Sequence, residues 1–390
     1  MRHLKVWLTC LTLLAAAVLA SACVSGGGPG ANGNGNGNAN GNGNSGGGAA
    51  GARGRKGPND PVKIGFSMDT LKEERWQRDK DLVEARAREL GVELIVAVAD
   101  GNDRLQLSQA ENMLTQGVDA LVVAPHNAVA AAAIVEAAHR QNVPVISYDR
   151  LIRGADVDLY VSHQVVKIGE MQAAEILKLA PKGNYIIVQG SATDNNAKLL
   201  HDGHMNVLRP AIERGDVRVI ANQNAREWLA EESLKIVENA LTRANNDVVA
   251  VLASNDGTAR GAIQALAAQG LAGKVFVSGQ DADKASMKEI LLGRQTMTVY
   301  KPIAPLANSA VESAIKLARG ERVETNATVN NGRLDVPALL QELKAVDKSN
   351  ILETVVKDGY HKLADICEGL PADKCPRAPD AAATPADAKK

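Results

Sequence analysis

Six short apolar runs in this 390-residue chain lead straight into residues that can grip a polar ligand. Arg75 and Trp76 follow VKIGFSM (62–68), and Asp149 and Arg150 stand at the end of VPVISYD (143–149). NYIIVQG (184–190) leads into Asp194-Asn195-Asn196, VRVIANQ (217–223) into Trp228, DVVAVLAS (247–254) into Asn255-Asp256, and KVFVSGQ (274–280) into Asp281. A later run, QTMTVY, ends on Lys301. Aromatics make up only 3% of the chain, and two of its three tryptophans are in this set; Trp7 lies in a leader. Asp accepts hydrogen bonds, Arg and Lys donate them, Asn does both, and charged partners make the stronger bonds. A sugar ring has hydroxyl edges that donate and accept and a C–H face that packs on an aromatic ring. Two tryptophans, one from each half of the chain, could sandwich one such ring.

Each residue also has a purely structural reading. Asp194 and Asn255 are suited to cap the helices that follow them. Arg150 could pair with Asp149, and Trp76, among the nine charged residues of DTLKEERWQRDKD (69–81), could fold back on its own helix. The other charges of 72–89 read as a solvated helix face. His201 and His204 stand at helical i, i+3 spacing, where they could chelate a metal; the solvent-facing reading is preferred.

The elements that must position these groups alternate. Further apolar runs at VELIVAVA (92–99) and DALVVAP (119–125) complete a series separated by amphipathic segments such as 103–117, 127–141, 230–245 and 257–270. Runs buried on both faces and spaced by helices predict parallel sheets with right-handed crossovers, an α/β fold. About 310 residues, from Pro61 to about Leu370, are more than one core usually holds, so two domains are expected. In open α/β sheets ligands bind beyond the carboxyl ends of strands, where the singled-out residues stand.

The ends have a different character. Arg2, His3 and Lys5 precede an apolar run, Leu8–Ala20, of signal-peptide proportions. It closes on Leu19-Ala20-Ser21-Ala22-Cys23, which resembles the lipobox of bacterial lipoproteins; Cys23 is expected to carry lipid, with ordinary signal cleavage beside a bystander Cys23 as the alternative. Either way, export is expected. Residues 24–60, nearly all Gly, Asn, Ala and Ser, read as a disordered tether. Its ~36 residues would reach roughly 30–36 Å. Cys367 and Cys375 in CEGLPADKC suit a local disulfide in an oxidising compartment, with free thiols as the alternative. A mostly disordered tail is expected over 371–390. The charge is balanced, 44 basic against 45 acidic residues, which argues against nucleic-acid binding. No second apolar span suggests a channel, and no phosphate-loop, nucleophile-elbow or cofactor signature appears.

From about Pro61 to His361 the chain resembles the D-xylose-binding branch of the ribose/galactose-type periplasmic binding proteins, the receptors of bacterial ABC sugar importers. The motifs are ERWQRD (74–79), ENMLTQGVDALVV (111–123), YDRLI (148–152), DNNAKL (194–199), EWLAE (227–231), LASNDGTARGAIQAL (252–266), SGQDAD (278–283) and TMTVYKPI (296–303). The resemblance implies a type I periplasmic binding protein: two Rossmann-like parallel-sheet lobes joined by three hinge segments and closing on one monosaccharide. It implies lobes of 61–163 with 302–331 and 164–301 with 332–370. It also implies that Arg75, Trp76, Asp149, Arg150, Asp194, Asn196, Trp228, Asn255, Asp281 and Lys301 line the sugar; Asn195 is the poorer match. An ABC permease is the implied partner, with a chemoreceptor or sensor kinase as a further possibility, and a monomer is expected. His163-Gln164-Val165 departs from the family pattern near the first crossing. A glycosidase using Asp149, Asp194 and Asp281, a repressor of like lobes, and a receptor for another small polar ligand are the rival readings; the repressor would need an N-terminal DNA-binding motif where this chain has a leader and tether.

Overall fold

The structure, a computed structural model, describes residues 55–377. The leader with Cys23, the tether up to residue 54 and the tail from 378 lie outside the described residues. Residues 55–60, read as the end of the tether, are docked: the Lys56 N–H donates to Ala318 O at 3.1 Å, and its ammonium lies 3.3 Å from Asp119.

The apolar runs become strands. β1 (Lys63–Met68), β2 (Glu93–Val98), β3 (Ala120–Val123), β4 (Val145–Tyr148) and β5 (Leu159–His163) form the parallel body of a first sheet. β6 (Gly183–Gln189), β7 (Val217–Asn224), β8 (Ala250–Ala253) and β9 (Phe276–Val277) form a second, also parallel. β10 (Thr298–Tyr300) adjoins β9 through a parallel bridge between Val299 and Gln280. The two windings correspond, β2-β1-β3-β4-β5 in one sheet and β7-β6-β8-β9 in the other.

Side chains of the central strands alternate between two cores, as a sheet covered on both faces requires. Phe66, Val122 and Ile146 pack with Val83 of α1 (Glu74–Glu89) and Leu306 of the helix 303–319; Leu121, Val123 and Val145 pack on the other face with Met113 and Ile134.

Two features depart from the sequence reading. The sheets are not wholly parallel: β11 (Ala327–Asn330) and β12 (Asp335–Gln341) form an antiparallel hairpin, and β13 (Lys344–Val346) runs antiparallel to β10. In addition, β12 pairs in parallel with β5, from Ala338↔Tyr160 to Gln341↔His163. The third crossing between the sheets therefore lies at 342–343, not at 331–332, because Val336 and Ala338 of β12 are buried in the first sheet's core. The other crossings follow β5 and β10. Near the C-terminus, Cys367 and Cys375 are joined by a disulfide with Cα atoms 5.6 Å apart.

Candidate ligand-binding site

The ten residues singled out from the sequence all leave the carboxyl ends of β1, β4, β6, β7, β8, β9 or β10. They line one small cavity between the sheets, together with Glu73 and Gln280. The backbone is bent to present several of them: Asp149, Trp228 and Asp281 have φ of 57°, 60° and 96°. Asp tolerates the left-handed region; for Trp it is a strained conformation of the kind that clusters at functional sites.

From the first half, α1 places Arg75 and Trp76 in its opening turn. The Arg75 guanidinium donates Nε–H and Nη2–H to Asp79 at 3.0 Å each and Nη1–H to Asp149 Oδ2 at 2.7 Å. Asp79 also accepts from the Tyr148 hydroxyl. Arg150 does not pair with its neighbour Asp149; its Nη1 reaches Asp69 at 2.5 Å and its Nε reaches Asp194 at 2.8 Å. The guanidinium carbons of Arg75 and Arg150 lie 4.2 and 5.0 Å from the Trp76 ring centroid, within cation–π range. Trp76 is thus fixed beneath two cations at the cavity wall.

From the second half, Asp194 does two jobs. It caps the helix 195–213 by accepting from Asn196 N–H at 2.9 Å, and its Oδ2 accepts from the Trp228 indole N–H at 3.2 Å beside Arg150. Asn255 likewise caps the helix 256–268, its Oδ1 accepting from Thr258 N–H at 2.8 Å, which leaves its amide N–H groups to the cavity. The capping and lining roles are therefore compatible. Lys301 reaches Asp281 Oδ1 at 3.1 Å and Asp149 Oδ2 at 3.5 Å. Asn196 Nδ2–H donates to Asp149 Oδ1 at 3.2 Å, so Asp149 is held from both halves.

Burial alone would raise the Asp149 carboxyl, but Arg75 and Lys301 outweigh it and hold it well below the usual range. Asp69 behaves alike: against burial, the His126 hydrogen bond and Arg150 bring it to about 2. His163, at the first crossing, is pushed down to about 3 by burial and by Lys301, and its Nε2 lies 3.3 Å from Pro302 O at the second crossing. Three cations of the lining, Arg75, Arg150 and Lys301, face the carboxylates of Asp149, Asp194 and Asp281 in close pairs. Such a lining suits a neutral ligand rich in hydroxyls over an anionic one, which would have to displace a carboxylate from its cation. No His, Ser or Cys lines the cavity.

Not every acceptor in it is hydrogen-bonded. Asn196 Oδ1 is buried with no hydrogen-bond partner, and Asp281 Oδ1 has ion pairs but accepts no hydrogen bond.

The sequence reading missed Glu73, Gln280, Asp69 and Asp79. Asp79, treated as part of a solvated face, is fully buried beneath Arg75; its i+4 spacing from Arg75 was the available signal. His204 is also buried rather than solvent-facing. Its Nε2 lies 2.7 Å from Gln172 Oε1 and burial pushes it down to about 3, whereas His201 meets Asn222 at 2.9 Å.

Residues 64–322 match the family model of the periplasmic binding protein domain. The chain is 51% identical over 300 residues to a D-xylose-binding periplasmic protein of Haemophilus influenzae, covering 77% of this chain and 90% of that one. It is 49% identical over 305 residues to the D-xylose-binding periplasmic protein of Escherichia coli, covering 78% and 92%. Among solved structures, a carbohydrate transporter solute-binding protein of Chloroflexus aurantiacus in complex with D-glucose superposes with a TM-score of 0.75 at 31% identity, covering 78% of this chain and 98% of that one. An ABC transporter solute-binding protein of Clostridium phytofermentans with bound β-D-glucose gives 0.73 at 29%, covering 78% and 99%. Two matching α/β windings, three crossings and a polar cavity between them accord with these likenesses, and the chain belongs to the periplasmic binding proteins of type I fold.

Proposed function

We propose that this protein is an exported receptor that closes on one monosaccharide, D-xylose, and delivers it to the permease of an ABC importer. The unsatisfied acceptor Asn196 Oδ1 carries the reading, and Asp281 Oδ1 beside it has ion pairs but accepts no hydrogen bond. A buried polar group without a partner costs about 1–3 kcal/mol, and a hydroxyl-rich ligand supplies the missing donors. Trp76 and Trp228, one from each half, offer aromatic surface to a sugar's C–H face. Closure of the two lobes desolvates the hydroxyls and strengthens their bonds to charged partners. Both D-xylose-binding relatives, at about half identity, favour the pentose.

Capture without turnover is the reading supported by the ion pairs that tie up Asp149, Asp194 and Asp281, the three carboxylates a glycosidase reading would use. Lipid on Cys23 would anchor a single copy at the membrane, and a chemoreceptor or sensor kinase is a further partner for the closed form. D-Glucose is the second reading, favoured by the two glucose complexes of similar fold.

The test is intrinsic tryptophan fluorescence of the domain without leader and tether, which retains only Trp76 and Trp228, titrated with D-xylose, D-glucose, D-ribose and L-arabinose. A saturable change at micromolar xylose with weak responses to the others supports the xylose assignment. A response to another sugar alone reassigns the ligand, and silence for all four rejects the sugar reading.

A further inference from the structure

Glu73 stands at the N-cap of α1 with extended backbone, φ −83° and ψ 141°, yet its side chain caps nothing. Capping side chains turn back onto the amides of the first helical turn. The Glu73 side chain lines the cavity described above and also a small adjoining space, whose wall includes Asp69, Thr70, His126 and Thr193. Arg150 and Trp228 border both spaces as well. Every other charged residue of the cavity is held in an ion pair: Arg75 with Asp149, Arg150 with Asp194, and Lys301 with Asp281. Glu73 is not, and its Oε2 is buried with no hydrogen-bond partner.

We propose that Glu73 is a further ligand-contacting and specificity-determining residue, whose carboxylate accepts a hydrogen bond from the one sugar hydroxyl that faces the adjoining space. The inference rests on the sugar-receptor reading of the cavity. A free acceptor at the boundary between two polar spaces distinguishes ligands by whether they place a donor there. An analogue lacking that hydroxyl leaves the carboxylate unpaired, which is the more costly state. Asp69 of the same loop and Arg150 and Asp281 from other segments are the charged groups facing Glu73; burial raises its carboxyl, and Arg150 and the residue's own backbone N–H oppose that rise, leaving Oε2 as the acceptor without a donor.

The experiment is a protein–ligand double-mutant cycle by titration calorimetry. The unmodified protein, Glu73→Leu and Glu73→Gln are each titrated with D-xylose, its 2-, 3- and 4-deoxy analogues and 1,5-anhydroxylitol, which lacks the anomeric hydroxyl. Loss of a hydrogen bond to a charged group predicts about ten- to a hundredfold weaker xylose binding by Glu73→Leu. One analogue should be weakened by a similar factor in the unmodified protein and show no further loss with Glu73→Leu. Glu73→Gln, which keeps an acceptor, should recover much of the affinity and guards against a folding defect in the leucine variant. Xylose binding unaltered by Glu73→Leu, or equal losses for every analogue in both proteins, overturns the assignment while leaving the receptor reading intact. Absence of binding to any sugar by the unmodified protein overturns both.

Discussion

Gly190 and Trp228 touch so closely that a Cβ on Gly190 would overlap the indole ring. Gly190 follows β6, and Trp228 sits in a left-handed turn after β7, so neighbouring strands of the second sheet jointly fix this wall of the cavity. Gly190 is not among the residues of positive φ, and an alanine there is sterically, not conformationally, unwelcome. Gly190→Ala should displace the ring, break its N–H bond to Asp194 and weaken xylose binding at least about tenfold, with overpacking costing about 1–3 kcal/mol of stability. Calorimetry with urea unfolding reads both; wild-type affinity would show that Trp228 is not a ligand surface.

Asp79 supports the opposite wall. It is the bidentate partner of Arg75 and accepts from Tyr148, all within the buried interior. Removing Asp79 takes two charge-assisted hydrogen bonds from Arg75, which keeps Asp149, and strands the buried Tyr148 hydroxyl, a cost of about 1–3 kcal/mol. Asp79→Ala should lose roughly that much and weaken xylose binding, because Arg75 would then be oriented by Asp149 alone. Asp79→Asn, which keeps the shape and one acceptor, should lose less. Equal stability of Asp79→Ala and the unmodified protein in urea would contradict this account.

The contrast between Arg75 and Asp79 shows what was legible in the sequence. Arg75 was found because it follows an apolar run, and strands buried on both faces leave a clear apolar signature. The same logic pointed to the other nine together with Asn195 and Asp256, which do not line the cavity, and the family resemblance made the choice among them. Asp79 was missed because a charge on a charged helix looks solvated until the buried face of α1 is known. His204 was missed for the same reason: it lies on the face of its helix where Gly203 comes within a Cβ's reach of the Val166 carbonyl. Strand β12 was assigned to the wrong lobe because DVPALLQ is short, contains Pro337 and pairs with a strand more than 170 residues earlier, none of which has a local signature. Asp194 and Asn255 allowed both a capping and a lining reading, and each serves both.

Asp283 should make stability depend on pH. Its backbone N–H donates to Asp256 Oδ2 at 2.8 Å, its Oδ1 is buried without a partner, and it faces Asp256, Asp281, Glu74 and, at 3.5 Å, Arg260. Burial, followed by Asp281 and Glu74, pushes its carboxyl up to about 7 from an ordinary 3.8. A raised value favours the folded protein while the group is protonated. That contribution is full below the unfolded value and is lost as pH rises through about 7. Asp283→Asn cannot ionise and relieves the neighbouring Asp256, so its stability relative to the unmodified protein should rise between pH 4 and 8. The difference between the two proteins is the quantity to measure. His163 and His204, pushed down to about 3, lose their contribution as pH falls and bend each separate curve the other way. A pH-independent difference in urea unfolding would place the Asp283 carboxyl outside this window.

Lys72 and Glu227 form an ion pair at 2.9 Å between the first-sheet and second-sheet halves, both partly exposed. Exposed pairs contribute about 0.2–1 kcal/mol, so Lys72→Ala or Glu227→Ala should change global stability by less than about 1 kcal/mol. Their effect belongs instead to release of the sugar, which requires the two halves to part. Glu227 has φ of 51°, beside Trp228 at the cavity wall, so the bridge holds the segment that must move. Stopped-flow tryptophan fluorescence should show xylose leaving several-fold faster from either variant at low salt. The double variant should be no faster than the single ones, and the difference from the unmodified protein should shrink near 1 M salt, where the Debye length falls to about 3 Å. Release rates that match the unmodified protein at low salt would mean that opening does not break this bridge before the sugar departs.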